Sequence, residues 1–233
     1  MYTSTMTRQE IKQQAKDGLR GYWGVGVIVT LIYFAISSAL GFIPPLLIIL
    51  MPPLIVGVSK MSLSAIRAES VDLENLFDGF KSFGVAVIAS LLFTLIIIAW
   101  MIIPILLMFF LMAGGAAMQN PLMMAVAVPV FLISMIPAII AQFNYALIYF
   151  IIADNPGITA TEALKLSKTM MRGHRLAYFV FMLSFIGWVF LSMLTFFIGY
   201  LWLMPYFYVS TAGFYEQLKS DSPAPTSTSS LEF

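Results

Sequence analysis

The sequence predicts an all-α, polytopic integral membrane protein with six transmembrane helices in three hairpins, cytoplasmic amphipathic helices between them, and both termini in the cytoplasm. Three observations carry this expectation. Of the 233 residues, 61% are hydrophobic and 10% charged, against roughly 25% charged in a soluble domain, and the mean hydropathy is +0.94. Every charge falls in one of four polar patches, residues 8–20, 60–81, 154–175 and 216–232, and the runs between them, 21–59, 82–153 and 176–215, carry none. Those runs are 39, 72 and 40 residues long, and a helix needs about 20 apolar residues to cross a ~30 Å hydrocarbon core. The first and third runs therefore each hold two crossings. Three crossings in the middle run would send Lys165, Lys168, Arg172 and Arg175 to the opposite face, against the positive-inside bias, so two long ones are expected.

The elements follow in order. Residues 1–20 read as a cytoplasmic amphipathic helix, 21–218 as the six-helix bundle and 219–233 as a disordered tail rich in Ser, Thr and Pro. Span 1 covers 22–43, too long for the apolar core of a secretory signal, and Pro44 with Pro45 breaks the chain at the outer turn. Span 2 covers 46–66, with Pro52 and Pro53 expected to kink it and Lys60 to snorkel from its last turns to the headgroups. Spans 3 and 4 cover 83–112 and 122–152. Both exceed one bilayer thickness, and Pro104, Pro129 and Pro137 are expected to interrupt them. Spans 5 and 6 cover 177–198 and 200–215 with hardly a loop between. Gly21, Gly24, Gly26, Ser37, Ser38 and Gly41 give span 1 small-residue faces for close packing, within the bundle or in a homo-oligomer.

Three strings at the cytoplasmic ends align on a glycine: DGLRGYW, DGFKSFG and RGHRLAY. Gly18, Gly79 and Gly173 are each followed two positions later by a base (Arg20, Lys81, Arg175) and then by an aromatic (Tyr22, Phe83, Tyr178). The expected cause is a shared joint, with a surface helix ending at a residue of positive φ and an interfacial aromatic opening the next span. Thr7 with Glu10 and Thr159 with Glu162 have capping-box spacing, whereas the middle copy offers only Asp72 as a cap.

The candidate functional residues are polar and few. Arg8, Lys12, Lys16 and Arg20 recur every four positions, and Lys165, Lys168, Arg172 and Arg175 at three, four and three, so each set lines one helical face. With Lys81 they are expected to meet anionic lipid headgroups, each contributing about 1 kcal/mol. The apolar Ala163, Leu164, Met170 and Met171 fall on another face of the third basic helix. Within the membrane the densest polar group is Gln142, Asn144, Tyr145 and Tyr149, read as hydrogen-bonding glue between helices. Apart from Lys60 in the last turns of span 2, no Asp, Glu, Lys, Arg or His lies inside a span, which argues against ion-coupled pumping.

The remaining chemistry is read by exclusion. Zero Cys excludes disulfides and thiol catalysis, and the single histidine, His174, makes no metal cluster. Asp72, Glu74 and Asp78 read as an exposed acidic face. No metal, cofactor, nucleic-acid partner or catalytic residue is expected. The patch charges of +2, −1, +2 and −2 are too weak for nucleic acid.

Residues 18–24, 76–84 and 145–218 also resemble a bacterial family of integral membrane proteins known as domain-of-unknown-function family 975. The stretch Tyr149, Asp154, Asn155, Pro156, then Ala163, Leu164, Ser167, Met171, Gly173, then SFIGW, FIGY, Pro205, Tyr206, Phe214 and Tyr215 carries most of it. That family is distantly similar to the membrane domain of glycerophosphodiester phosphodiesterases. The resemblance implies a multi-span protein of the bacterial plasma membrane and no established activity. Residues and resemblance together point to a non-enzymatic protein that engages anionic lipid or a membrane partner, in envelope organisation or protection against membrane-active compounds. The alternatives are a channel or transporter for a small neutral or hydrophobic solute, and a membrane subunit of a lipid-processing enzyme.

Overall fold

The computed structural model describes residues 7–221, and among these the chain is helical with no strand. Helix α1 covers Arg8–Gly18, α2 Trp23–Leu40, α3 Pro44–Ile66 and α4 Glu74–Phe77, which runs through a 3₁₀ turn, Asp78–Ser82, into α5, Phe83–Ala117. The chain returns through α6, Pro121–Ser134, α7, Ile136–Asn144, and α8, Ile148–Asp154. Then follow α9, Ala160–Met170, α10, Arg175–Leu183, α11, Ile186–Leu194, and α12, Tyr200–Asp221. Lys219, Ser220 and Asp221, expected in the tail, continue α12; the rest of the expected tail and residues 1–6 lie outside the described residues.

Among the described residues, five segments are long and apolar enough to cross a membrane: Trp23–Leu40, Pro44–Ile66, Glu74–Ala117, Pro121–Asp154 and Arg175–Leu194. The 22 residues of α12 span about 33 Å. It is, with α3, one of the two long helices with about half their residues buried, enclosing Leu203, Pro205, Tyr206, residues 209–215 and Leu218. Its mixed Tyr, Ser and Thr content suits a helix surrounded by protein rather than lipid. Helices α1, α2 and α3 pack around it: Ile11 lies against Gly213, Gly26 against Pro205, and Phe34 against the Tyr200 ring.

Proline acts differently from its sequence reading. Pro44 and Pro45 do not precede span 2 but occupy the first turn of α3, where the helix needs no N–H donor. Pro52 and Pro53 sit within α3, and Pro104 within α5, without ending either helix. Span 4 does break, at Met135 ahead of Pro137 and again at residues 145–147, giving α6, α7 and α8. Span 5 breaks without a proline. Ser184 turns its hydroxyl back onto the Phe181 carbonyl, and Lys12 of α1 donates to the Ser184 carbonyl at 3.0 Å. The turn between α11 and α12 is longer than expected, and it holds Phe196 and Phe197 at positive φ.

Both expected capping boxes form. Thr7 and Thr159 each accept from the backbone N–H three residues on, while Glu10 and Glu162 reach back to the Thr N–H. Hydrogen bonds from Thr159 hold the Glu162 carboxyl below its ordinary value. Asp72 makes no side-chain cap, and α4 opens at Leu73 instead.

The three aligned glycines do not share one role. Only Gly173 has positive φ; Gly21, not Gly18, supplies the left-handed residue at the end of the first surface helix. Gly18 and Gly79 are contact glycines. A Cβ on Gly18 would lie 2.6 Å from the Ala65 carbonyl oxygen, and one on Gly79 would lie 1.9 Å from that of Pro53. Gly57 mirrors Gly79, since a Cβ there would lie 1.8 Å from the Leu76 carbonyl oxygen. The backbone of the 74–82 segment thus rests directly on α3.

Burial is uneven along the bundle. Residues 51–54, 56, 57, 59 and 61–65 of α3 are buried, as are Ala86 and Ala89 near the start of α5, Ile148 and residues 150–152 of α8, and most of α12. From Leu91 onward α5 buries only Pro104 and Gly115, and α6 only Ala127. The α5–α6 hairpin therefore presents a wide apolar surface that water cannot cover favourably and lipid can.

Gly57→Ala and Gly79→Ala should each destabilise the protein by about 1–3 kcal/mol through overpacking against backbone. Gly24→Ala, in α2 with nothing within 4 Å of the added carbon, should be neutral or mildly stabilising. Thermal unfolding in detergent, followed by intrinsic fluorescence, reads the difference.

Candidate functional site

At one end of the bundle, three helix termini converge on Asp154. It closes α8, and its carboxylate is 5% exposed. Arg67, the C-cap of α3, donates to its Oδ1 at 2.6 Å. Tyr215 of α12 donates its hydroxyl to Oδ2 at 2.8 Å, and Lys219, one helical turn further on, donates to the same oxygen. The Arg67 guanidinium also engages Glu216 through Nε at 2.8 Å and through Nη2. Burial works to lower the Arg67 pKa, but the bonds to Asp154 and Glu216 outweigh it and hold the group above its ordinary value. Two acids and two bases balance, so α3, α8 and α12 are joined by a cluster that is neutral in sum.

A smaller cluster sits beside α3. Lys60, expected to snorkel to headgroups, instead pairs with Asp78, and Lys81 pairs with the same carboxylate. Asp78 is therefore not part of an exposed acidic face. Sequence reasoning missed both clusters. The signal was present, because Asp154 and Glu216 are the first charges after their uncharged runs and Arg67 follows span 2 directly. Opposite charges at the ends of spans are candidates for one another.

The bases of the first patch turn partly inward. Ile11, Ala15 and Leu19 are buried on α12 and α3. Lys12, beyond its bond to Ser184, lies 4.2 Å from the centroid of the Phe185 ring. Burial first, then Lys16 and Arg8, pull its ammonium below the ordinary value. Lys16 stands over Tyr206 at 5.9 Å, Arg20 pairs with Asp17, and Arg8 is exposed.

The third patch differs. Ala163, Leu164, Ser167, Met170 and Met171 are buried against α5, α7 and α8, as the sequence pattern requires. Lys165, Lys168 and Arg172 are exposed on α9 and its C-terminal turn, and Arg175 opens α10; none of the four forms an ion pair among the described residues. Beneath Lys165 and Lys168, a groove of about 490 Å³ runs between α9 and α5, lined by Leu92, Leu95, Ile96, Ala99 and Tyr145, with Thr161 at its edge. Unpaired ammonium groups thus edge an apolar trough. His174, between Gly173 and Arg175, is half-buried, and no three metal-ligating side chains come together among the described residues.

The polar group on span 4 is divided. Asn144 is buried, its carbonyl oxygen accepting from Ser167 at 2.8 Å while its Oδ1 has no partner. Tyr145 packs edge-on to Phe93, and Tyr149 is half-buried beside Ser90. Gln142 faces outward. Three of the four therefore tie α7 and α8 to α5 and α9.

Asp154→Asn should cost about 2–4 kcal/mol, because it leaves Arg67 and Lys219 facing a neutral amide in a largely desolvated site. Lys219→Gln, at a side chain 48% exposed, should cost under about 1 kcal/mol. Equal losses in detergent melts would contradict this geometry.

No curated protein and no solved structure matches the chain, and the expected likeness to the membrane domain of glycerophosphodiester phosphodiesterases is not shown. The model of the family described as "protein of unknown function (DUF975)" matches residues 4–222, and on that match, covering every described residue, the chain belongs to this family.

Proposed function

We propose that the chain crosses the bacterial plasma membrane six times with both termini in the cytoplasm, and that it holds anionic phospholipid on α9 without catalysing a reaction. The carrying observation is the row of unpaired bases over the α9–α5 groove. A phosphate meets Lys165 and Lys168 while an acyl chain lies along Leu92, Leu95, Ile96 and Ala99 of α5. Four bases near an anionic surface contribute roughly 4 kcal/mol together, about a thousandfold in affinity. Lys165, Lys168, Arg172 and Arg175 form no ion pair among the described residues, Glu162 being the acid one turn before Lys165, whereas Lys60, Arg67 and Lys219 are held by carboxylates.

The ion pairs support the even number of crossings. Arg67, Asp154 and Glu216 come from three different polar patches and are in contact, so those patches share one face of the bundle. Gly18 of the first patch rests on Ala65, at the start of the same region. The length and central position of α12 support its role as the sixth span. A scaffold of this kind organises lipid at the cytoplasmic leaflet.

Two measurements test the reading. Neutralising Lys165, Lys168, Arg172 and Arg175 to Gln together should abolish the phosphatidylglycerol that native mass spectrometry finds on the purified protein, with phosphatidylcholine binding unchanged. Undiminished phosphatidylglycerol retention refutes the lipid site. Because the chain has no Cys, Asn120→Cys and Lys165→Cys report topology directly. An impermeant maleimide added to intact cells should label the first and not the second, and the reverse pattern refutes the orientation.

A further inference from the structure

Three of the chain's four tryptophans, Trp23, Trp188 and Trp202, line one cavity of about 260 Å³ between α2, α11 and α12, with Tyr206 and, at its rim, Lys16 of α1. This cavity shares no residue with the α9–α5 groove. Three features bear on what it takes. The indole N–H groups of the three tryptophans have no acceptor among the described residues. Lys16 forms no ion pair among the described residues, its ammonium standing only over the Tyr206 ring at 5.9 Å, while Asp17 pairs with Arg20 and Gln13. On the α11 side, Phe190, Leu191 and Leu194 are exposed, so the opening faces the surface that lipid covers.

We infer that this cavity is a binding site for a single-chain amphiphile carrying one carboxylate, a free fatty acid being the chemical class. The apolar walls accept a hydrocarbon chain, while Lys16 and the indole donors supply a cation and hydrogen bonds for the acid head. The volume lies below the ~300–1,000 Å³ range of drug-sized sites, which suits one chain rather than two. A cationic amphiphile would be repelled by Lys16, and a neutral one would leave it unpaired. This inference stands apart from the proposed α9 lipid site.

The test uses the full chain in phosphatidylcholine nanodiscs with Trp100→Phe, which removes the one tryptophan outside the cavity. Titration with 9,10-dibromostearate should quench the fluorescence saturably, and unbrominated stearate should reverse the quenching. Lys16→Gln should weaken the apparent affinity about tenfold, the loss of one charge-assisted hydrogen bond. The brominated alcohol of the same length should bind the parent as weakly as the acid binds that variant. Trp188→Phe, which keeps the ring and removes one indole donor, should weaken binding by a smaller factor. Linear, non-saturating quenching means partition into the bilayer and overturns the site. Saturable quenching that Lys16→Gln leaves unchanged, or that the alcohol matches in the parent, overturns the reading of the head group. Equal saturable quenching by a dibrominated phosphatidylglycerol shows a bilayer lipid in the cavity and overturns the single-chain assignment. The α9 quadruple variant should bind dibromostearate like the parent. Loss of binding there overturns the independence of the two sites.

Discussion

An ionised side chain is expensive in hydrocarbon, so a chain this apolar must bring its charges to water or to one another. Asp154 shows the second solution. Its carboxylate is nearly excluded from solvent, yet it accepts from Arg67, Tyr215 and Lys219, and Glu216 takes up the remaining capacity of the Arg67 fork. Once those contacts exist, the end of α3, the end of α8 and the last turns of α12 are fixed relative to one another. The position of α1 follows, since Ile11 packs on Gly213 two residues before Tyr215, and so does the path of α9, which folds back from α8 until Ser167 meets the Asn144 carbonyl.

A second constraint is close approach of backbone to backbone. The segment from α4 into α5 has only the small pair Lys60 and Asp78 to orient it electrostatically. What seats it on α3 is the absence of side chains at Gly57 and Gly79, each facing a carbonyl of the other segment. In a bilayer the apolar effect does not distinguish helix from lipid, and contact at this range is what favours helix on helix. The same device recurs where Gly18 meets Ala65 and Gly26 meets Pro205.

Away from the charged end, protein contacts thin out and the surface becomes a solvent boundary of another kind. The α5–α6 hairpin, α11 and the distal part of α2 expose Leu, Ile, Phe and Trp side chains that only hydrocarbon can cover at low cost. Where such a surface meets unpaired bases, as at Lys165 and Lys168, the proposed anionic lipid would find both of its halves matched. Bases enclosed by carboxylates offer no such match. The division of twelve lysines and arginines into paired and unpaired is therefore the feature that separates architecture from interface in this molecule.

Much of this was legible in the residues themselves. Uncharged runs and their lengths marked the apolar helices, because hydrocarbon imposes a minimum length and forbids charge locally, and both requirements act on consecutive residues. Capping boxes at Thr7 and Thr159, and the buried face of α9, were equally local, since a cap spans three positions and a helical face repeats at three and four. The ion pairs were not, as Arg67 and Asp154 stand 87 positions apart and sequence gives their charges but not their meeting. The glycines at 18, 79 and 173 look alike in their strings, yet one bends the chain and two admit a neighbouring backbone, a distinction set by what packs opposite. Likewise proline at 104 left α5 whole while serine at 184 coincided with a break, because a carbonyl released from a helix persists only where a donor such as Lys12 arrives from elsewhere in the fold. Local composition determined which segments are apolar helices; the pairing of distant charges and backbones decided how they stand together.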